Sequence, residues 1–502
     1  MGELEERLAR LPAHKRALLA AALGRRTRTG LAGDGGPAGG GPGGGGPAGE
    51  VPGESPADLT HRQRELWQRW SAAPGSGAWH WPLVGLIRGD LDPAALESAL
   101  RQVLDRHTVL RTGYRHDGER LLAVLHPARS FPFEVVDLTA SDGAAALESA
   151  LETVDTPIDL TSAPPGRARL IRLGSGEHLL ALAVHHIATD YESTELIFEE
   201  WIAAYLGAPL EPVPQFPPYA REQNAALAAG RLAEGLDRWR DRLHDLDLST
   251  VLRDPDESGQ SRRLYWRLPV PLVQRIHELA EDRRLTPFMI IAAGVGTTLA
   301  VHEGRDETVL GVPAPNRPGV QVERLIGCLA NPILVRVRAH PGATLDDVLE
   351  GVREESVAAY EEQDIPYAEV VARLLGEPAK PAAALPRFTF AYHCGNEPVT
   401  AGALELNRAD IIPQGVRADL ALSLRYDPEG IDVVAEFDPV ALTTDDARVV
   451  VTWLAHVLDT LTTAPGTTVR DLAGRLRSGG LPLIEPAPVH EPVRARPSWK
   501  QA

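Results

Sequence analysis

Within residues 178–184, HLLALAV, the apolar run from Leu179 to Val184 is unbroken, and His185 and His186 follow it directly. A strand apolar at every position is covered on both faces, so the fold places further layers on either side of a sheet. A short turn and Asp190 come next, and STELIFEEWIAAYL (193–206) then reads as a helix. Adjacent strand residues point to opposite faces. His185 and His186 therefore do not readily grip one metal ion together; one imidazole faces a cleft and the other packs inward. A neutral imidazole at a strand end is a candidate general base near pH 7. Asp190, within one turn of it, is placed to orient the loop or pair with a cation.

The same alternation of strands and helices runs through the rest of the chain. WPLVGLIRGD reads as a strand, followed by Asp92 as N-cap and Pro93 at the first helical position. Leu96, Leu100, Val103 and Leu104 then share one helix face. A polar connection around DPDESGQSRR (254–263) leads to a second half that opens alike. Strand LYWRLPV precedes a helix from Pro271, and Thr286 caps another. ETVLGVPA, PILVRVRA and GIDVVAEFDP are strands, and Asp445–Leu461 is a final amphipathic helix. The repeat lies in element order, and it predicts two mixed lobes, 55–253 and 254–475.

Outside this body the chain changes character. Residues 1–28 read as one or two amphipathic helices broken near Pro12, and as a possible docking element. Residues 29–54 are a flexible linker: 13 glycines and 4 prolines fall within 30–54, too little apolar surface to fold. The proline-rich tail 476–502 is predicted to be disordered.

Composition removes several functions. With 51 Lys+Arg against 69 Asp+Glu the net charge is −18, which argues against general binding of nucleic acid. Two cysteines, Cys328 and Cys394, exclude a disulfide scaffold or a cysteine-built zinc site. No apolar run is long enough to span a membrane, and MGELEERLAR lacks the pattern of a signal peptide, so a cytoplasmic location is expected.

The chain resembles the condensation domains of nonribosomal peptide synthetases, in the chloramphenicol acetyltransferase superfamily. The HHxxxD pattern is His185 to Asp190. LTHRQRELW (59–67) resembles SxAQxRLW, and RHTVLRT (106–112) matches RHxxLRT. YAREQ (219–223) resembles YAxWQ, and LIGCLANPILVRV (325–337) resembles IGxFVNTLPLRV. EEQDIPYAEVV (361–371) and RADLALSL (417–424) resemble two later motifs, HQDxPFExLV and FDLxLSL. The likeness covers about residues 55–475 in order.

The resemblance implies an α/β (α+β) fold: two acetyltransferase-like lobes in a V-shaped pseudo-dimer with the active site in a tunnel between them. It implies an acyl thioester delivered on the phosphopantetheine arm of a carrier protein acting in trans. The arm belongs to the partner, so no cofactor is expected on this chain. The acceptor is a small or carrier-bound amine, and the product is an amide. His186 becomes the catalytic residue, with a pKa near the ordinary value of about 6.5 sufficient for the task. His185 is structural, and Asp190 pairs with Arg111. Asn331 and Ser423 are candidates to line the tunnel, and either could equally be a satisfied structural polar residue. Gln363 and Asp364 are read as structural.

Three departures stand out. Tyr191 follows the motif aspartate where the family has glycine, so it would narrow the tunnel or add a donor there. Pro332 replaces a threonine, and Glu65 replaces an arginine. An ester-forming acyltransferase with an alcohol acceptor and a non-catalytic carrier-binding or recruitment domain are the alternative functions. No adenylation motif or carrier GGxS site occurs in the sequence.

Overall fold

The computed structural model describes residues 54–479, apart from 119, 140–142, 163, 175, 254–259, 318, 377–383, 395–398, 410–416 and 428–429. The expected helical segment 1–28 lies outside the described residues, as do nearly all of the linker and of the tail. At the borders two boundaries shift. Glu54, assigned to the linker, opens the first strand, and the last helix, Val469–Arg477, runs past residue 475.

The first half supplies strands β1 (Glu54–Pro56), β2 (His80–Arg88), β3 (Thr112–Asp117), β4 (Arg120–Leu125), β5 (Phe133–Asp137), β6 (Gly166–Gly174) and β7 (Glu177–His185). The second supplies β8 (Leu252–Arg253), β9 (Arg262–Leu268), β10 (Glu307–Ala314), β11 (Asn331–Arg338), β12 (Leu385–Pro386), β13 (Phe388–Cys394), β14 (Val399–Ala401), β15 (Leu404–Ala409), β16 (Leu420–Asp427) and β17 (Gly430–Phe437). Two six-stranded mixed sheets result, ordered β14-β15-β2-β7-β6-β5 and β11-β10-β13-β16-β17-β9.

The apolar run lies where its composition demands. On β7, Leu180, Leu182 and Val184 enter the main core of the first lobe, while Leu179 and Ala181 pack on the opposite face. Ala146, Ala150 and Val154 of helix Gly143–Asp155 cover that second face. Asp92 caps helix Pro93–Arg106 by accepting the N–H groups of Ala94 (2.9 Å) and Ala95 (3.2 Å). The stripe Leu96, Leu100, Val103 and Leu104 is buried in the same core. In the second lobe, helix Pro287–Glu303 is buried at every residue from Ile290 to Val301, which explains why it is apolar all round. Among the described residues no single helix is long and apolar enough to cross a membrane.

The division at 253/254 does not survive. Trp239, Leu243 and Val251 are buried in the core of the second lobe, so the chain crosses over before the polar connection. β8 pairs with β12, also of the second half. In the other direction, β15 leaves the second half and pairs antiparallel with β2, from Glu405 opposite Arg88 to Ala409 opposite Val84. Leu325, Ile326, Cys328 and Leu329 likewise join the first core. A polar stretch marks a surface loop; it does not mark where buried side chains change partners.

The crossing strand constrains the chain at Gly89, just after β2. Its φ is +127°, and a Cβ there would come within 2.5 Å of the Ala403 carbonyl oxygen. Gly89→Val should destabilise the protein by about 2 kcal/mol or more, because the conformation and the close approach both exclude a side chain. A thermal melt checks this; an unchanged Tm would show that β15 is not seated as described.

Candidate active site at the lobe seam

β2 and β7 fix the two histidines in opposite directions. In their register His80 faces His185, and Trp81 faces Val184. His80 and His185 lie on one side of the sheet, with ring centroids 6.1 Å apart. His80 reaches the Val154 carbonyl with Nδ1 at 2.7 Å. His185 is buried, and its Nδ1 accepts the Ile187 N–H at 3.1 Å. The inward, packed position expected for His185 is what the structure has.

His186 turns to the other side. Its ring stacks on Trp79, with centroids 6.1 Å apart and planes 12° from parallel, and leans on Trp81 at 5.3 Å. Nδ1 lies 2.6 Å from the Thr189 carbonyl oxygen. A carbonyl only accepts, so Nδ1 carries the proton and Nε2 carries the lone pair. His185 has the reverse arrangement, because its Nδ1 is the acceptor. Each ring's tautomer is thus set by backbone.

Burial lowers the His186 pKa to about 4, and the Arg62 guanidinium adds to the effect. The Thr189 carbonyl and the Asp190 carboxylate oppose it less strongly. The value lies below the ordinary one near 6.5 that would suffice for a base, and this imidazole is neutral throughout the physiological range. Only 8% of its surface is exposed. The tunnel anticipated from the sequence is a tight seam here. On one side a cleft of about 10 Å³, lined by Thr60, His61, Arg62, Cys328 and Tyr367 among others, has room for roughly one water.

The pairing expected for Asp190 is corrected. Its carboxylate does not pair with Arg111. Oδ1 accepts the Ser193 N–H at 2.8 Å and Arg317 Nη2 at 2.9 Å; Oδ2 accepts the N–H groups of Leu329 and Ala330, both at 2.9 Å. Burial pushes this carboxyl up, but Arg317, Ser193 and Ala330 outweigh it and hold the pKa below the usual range. Arg317 also donates to the carbonyls of Val322 and Leu325, at 3.0 and 2.6 Å. Arg111 instead donates to the carbonyls of Leu104 and His126, each at 3.0 Å, which closes the end of helix Pro93–Arg106. An arginine in a motif finds the nearest unsatisfied carbonyls, and Asp190 lies on another element.

Asn331 takes the structural role. Its Nδ2 donates to the carbonyls of Gln363 (2.9 Å) and Ile365 (2.6 Å), and its Oδ1 accepts the Tyr367 N–H at 3.0 Å. Its amide is committed to backbone rather than to a tunnel. Gln363 is structural as read, accepting the Asn316 N–H at 3.1 Å. Ser423 sits half-buried on β16 opposite Ala391 of β13, and alternates with Leu422 and Leu424, which enter the core. It shares its sheet face with Arg425, whose register partner is His393. That face meets Tyr191, whose ring lies 4.6 Å from the His393 ring.

Several neighbours acquire their meaning only in the structure. Glu65 is buried between Arg62 and Arg69, at 2.6 and 2.9 Å. Both guanidinium groups lie over Trp79, at 5.3 and 5.6 Å from the ring centre. The free thiol of Cys328 is 3.9 Å from His186 Nδ1, and burial pushes its pKa up strongly. Ser193 Oγ donates to the Gly327 carbonyl at 2.8 Å and accepts the Gly327 N–H at 3.0 Å.

Two outcomes follow from this geometry. Arg317→Ala or Asp190→Ala strands a buried charge and should destabilise the protein by about 3–5 kcal/mol. Arg111→Ala, which removes hydrogen bonds to backbone at a helix end, should cost about 1 kcal/mol. Parallel denaturant titrations distinguish them, and equal losses would refute the assignment. Second, burial is the main cause that lowers His80, His186 and His393 to about 4 each. Below pH 6.5 the unfolded chain binds protons that the native one refuses. Stability is therefore complete above pH 6.5 and is lost as pH falls toward 4, by about 1.4 kcal/mol per pH unit for each group. A Tm that stays flat from pH 7.5 to pH 5 would contradict this.

Comparison with known proteins agrees with the motifs. The family described as Condensation domain matches residues 54–465. Chondramide synthase cmdD of Chondromyces crocatus is 29% identical over 335 residues, 64% of this chain and 8% of that protein. Malpibaldin synthetase of Mortierella alpina is 29% identical over 395 residues, 75% of this chain and 7% of that protein. The chain thus spans under about a tenth of the length of these curated relatives. Among solved structures, the X-domain in complex with OxyB from teicoplanin biosynthesis superposes with a TM-score of 0.71 at 25% identity, covering 86% of this chain and 99% of that one. The condensation domain of the monacolin K polyketide synthase MokA gives a TM-score of 0.72 at 22% identity, covering 83% and 99%. The fold is the two-lobed chloramphenicol acetyltransferase-like architecture, and with its family match spanning nearly the whole body this chain belongs to the condensation domain family.

Proposed function

We propose that this protein condenses a carrier-bound acyl or peptidyl thioester with an amine, forming an amide, with carrier proteins supplied in trans. One observation carries the reading: His186 has its Nδ1 proton bound by Thr189, which leaves the Nε2 lone pair for a ligand. The acceptor nitrogen bonds to the thioester carbonyl carbon, and the carbon–sulfur bond breaks. The nitrogen's proton passes to the leaving thiolate. With a pKa of about 4, His186 acts mainly by accepting a hydrogen bond from the attacking N–H, orienting it and relaying its proton. A base this weak suits an amine, which brings its own nucleophilicity, better than an alcohol; ester formation is the lesser reading. The phosphopantetheine arm comes with the partner carrier, and this chain needs no cofactor of its own.

A second reading is favoured by the narrow access to His186 and by the likeness to the X-domain, which is known in complex with OxyB. In that reading the chain binds partners without catalysis. One experiment separates them. Acylated holo carrier protein is incubated with an amine acceptor, and product is followed by intact-protein mass spectrometry. His186→Ala should lower the rate about 10²–10⁴-fold. Turnover unaffected by that substitution would refute the catalytic role.

A further inference from the structure

Beyond His186 the wall of the seam continues as a row of rings. Trp81 leans on His186 at 5.3 Å, and the edge of Tyr191 meets Trp81 at 6.4 Å, with the planes 80° apart. Tyr191 then lies against His393 of the opposite lobe at 4.6 Å. The row therefore runs from the candidate catalytic ring across the seam without a break in contact.

The last two rings of this row stand on fixed backbone. Tyr191 is the first residue of helix Tyr191–Tyr205, directly after the Asp190 cap, so its backbone is pinned while its ring can still turn about its side-chain bonds. One turn on, Glu195 is gripped by both Nη atoms of Arg408 on β15, with the second bond at 2.6 Å. His393 sits on β13 beside Arg425 of β16. Burial leads the causes that keep the phenol of Tyr191 protonated and the imidazole of His393 neutral. The pair therefore packs as two uncharged rings.

We propose that Tyr191 and His393 form a size filter on this approach to His186, admitting a small untethered amine and excluding an aminoacyl group carried on a pantetheine arm. The inference rests on the condensation reading above. A small molecule slips past when the two rings part briefly. An arm must hold them apart for as long as the chemistry takes, because its chain remains threaded between them.

The test uses the full chain, as wild type, Tyr191→Gly and His393→Ala. In the first arm, diethyl pyrocarbonate modifies histidines, and peptide mass spectrometry compares His186 with the exposed His244. Labelling of His186 relative to His244 should accelerate about tenfold in both variants. In the second arm, an acylated holo carrier protein is the donor, and glycinamide competes with glycyl-pantetheine as acceptor. The ratio of kcat/KM should shift about tenfold toward glycyl-pantetheine in both variants. Unchanged labelling in both overturns the filter, whether or not product forms. Faster labelling with an unchanged acceptor ratio overturns the size selection. Faster labelling with no product from either acceptor in any form overturns the condensation reading and leaves the shielding by Tyr191 and His393 in place.

Discussion

One carboxylate ties the molecule together. Asp190 ends the turn after the two histidines and begins the next helix, and its oxygens accept donors from both halves of the chain. Ser193 belongs to the helix; Arg317, Leu329 and Ala330 lie more than a hundred residues onward. A buried carboxylate is tolerated only when its oxygens are filled and a cation stands close. Satisfying it therefore sets the turn that aims His186 and the positions of Arg317, Leu329 and Ala330 together. The hydrogen bond from His186 Nδ1 to Thr189 depends on that same turn.

The elements were largely legible in the sequence. Period and capping placed β2, β7, the Asp92 and Thr286 caps, and the fully buried strand correctly, because each signal is local. The opposite facing of His185 and His186 followed from strand geometry alone. What failed was non-local. Arg317 has no pattern around it that points to Asp190, whereas Arg111 sat in a motif and drew the pairing to itself. Glu65 read as a lone departure, yet its meaning lies in Arg62, three residues before it, and in Arg69, four after. β15 is six residues of mixed polarity, and nothing in LELNRA says that it joins the other lobe's sheet. Asn331 is open to either reading in the sequence, tunnel-lining or structural, since an amide's choice between backbone and ligand is decided by packing.

The seam combines strong and weak fastenings. Around Asp190 the lobes are joined by charged, buried hydrogen bonds. Around Tyr191 the Glu195–Arg408 ion pair is a further firm tie, and beside it the tilted, uncharged rings of Tyr191 and His393 meet, a kind of contact worth about 0.5–1.5 kcal/mol beyond its buried area. Motion that admits ligands is therefore easier between these two rings than at the carboxylate. Function and stability are divided along the same interface, which lets the turn holding His186 stay rigid while its surroundings give way.

The loan of β15 to the first sheet has a further meaning for how the molecule is assembled. Without it, β2 is an outermost strand with its backbone groups unpaired on one side, an open template for foreign strands. The first lobe cannot finish until the chain has been made as far as β15, Leu404–Ala409, which closes its edge. Neither half is a self-sufficient folding unit: a scission between Arg253 and Gln260 would strip β14 and β15 from the first sheet and would take Trp239, Leu243 and Val251 from the core of the second lobe, whose own six strands all lie after the cut. The duplicated architecture is thus, in its folding, a single cooperative object.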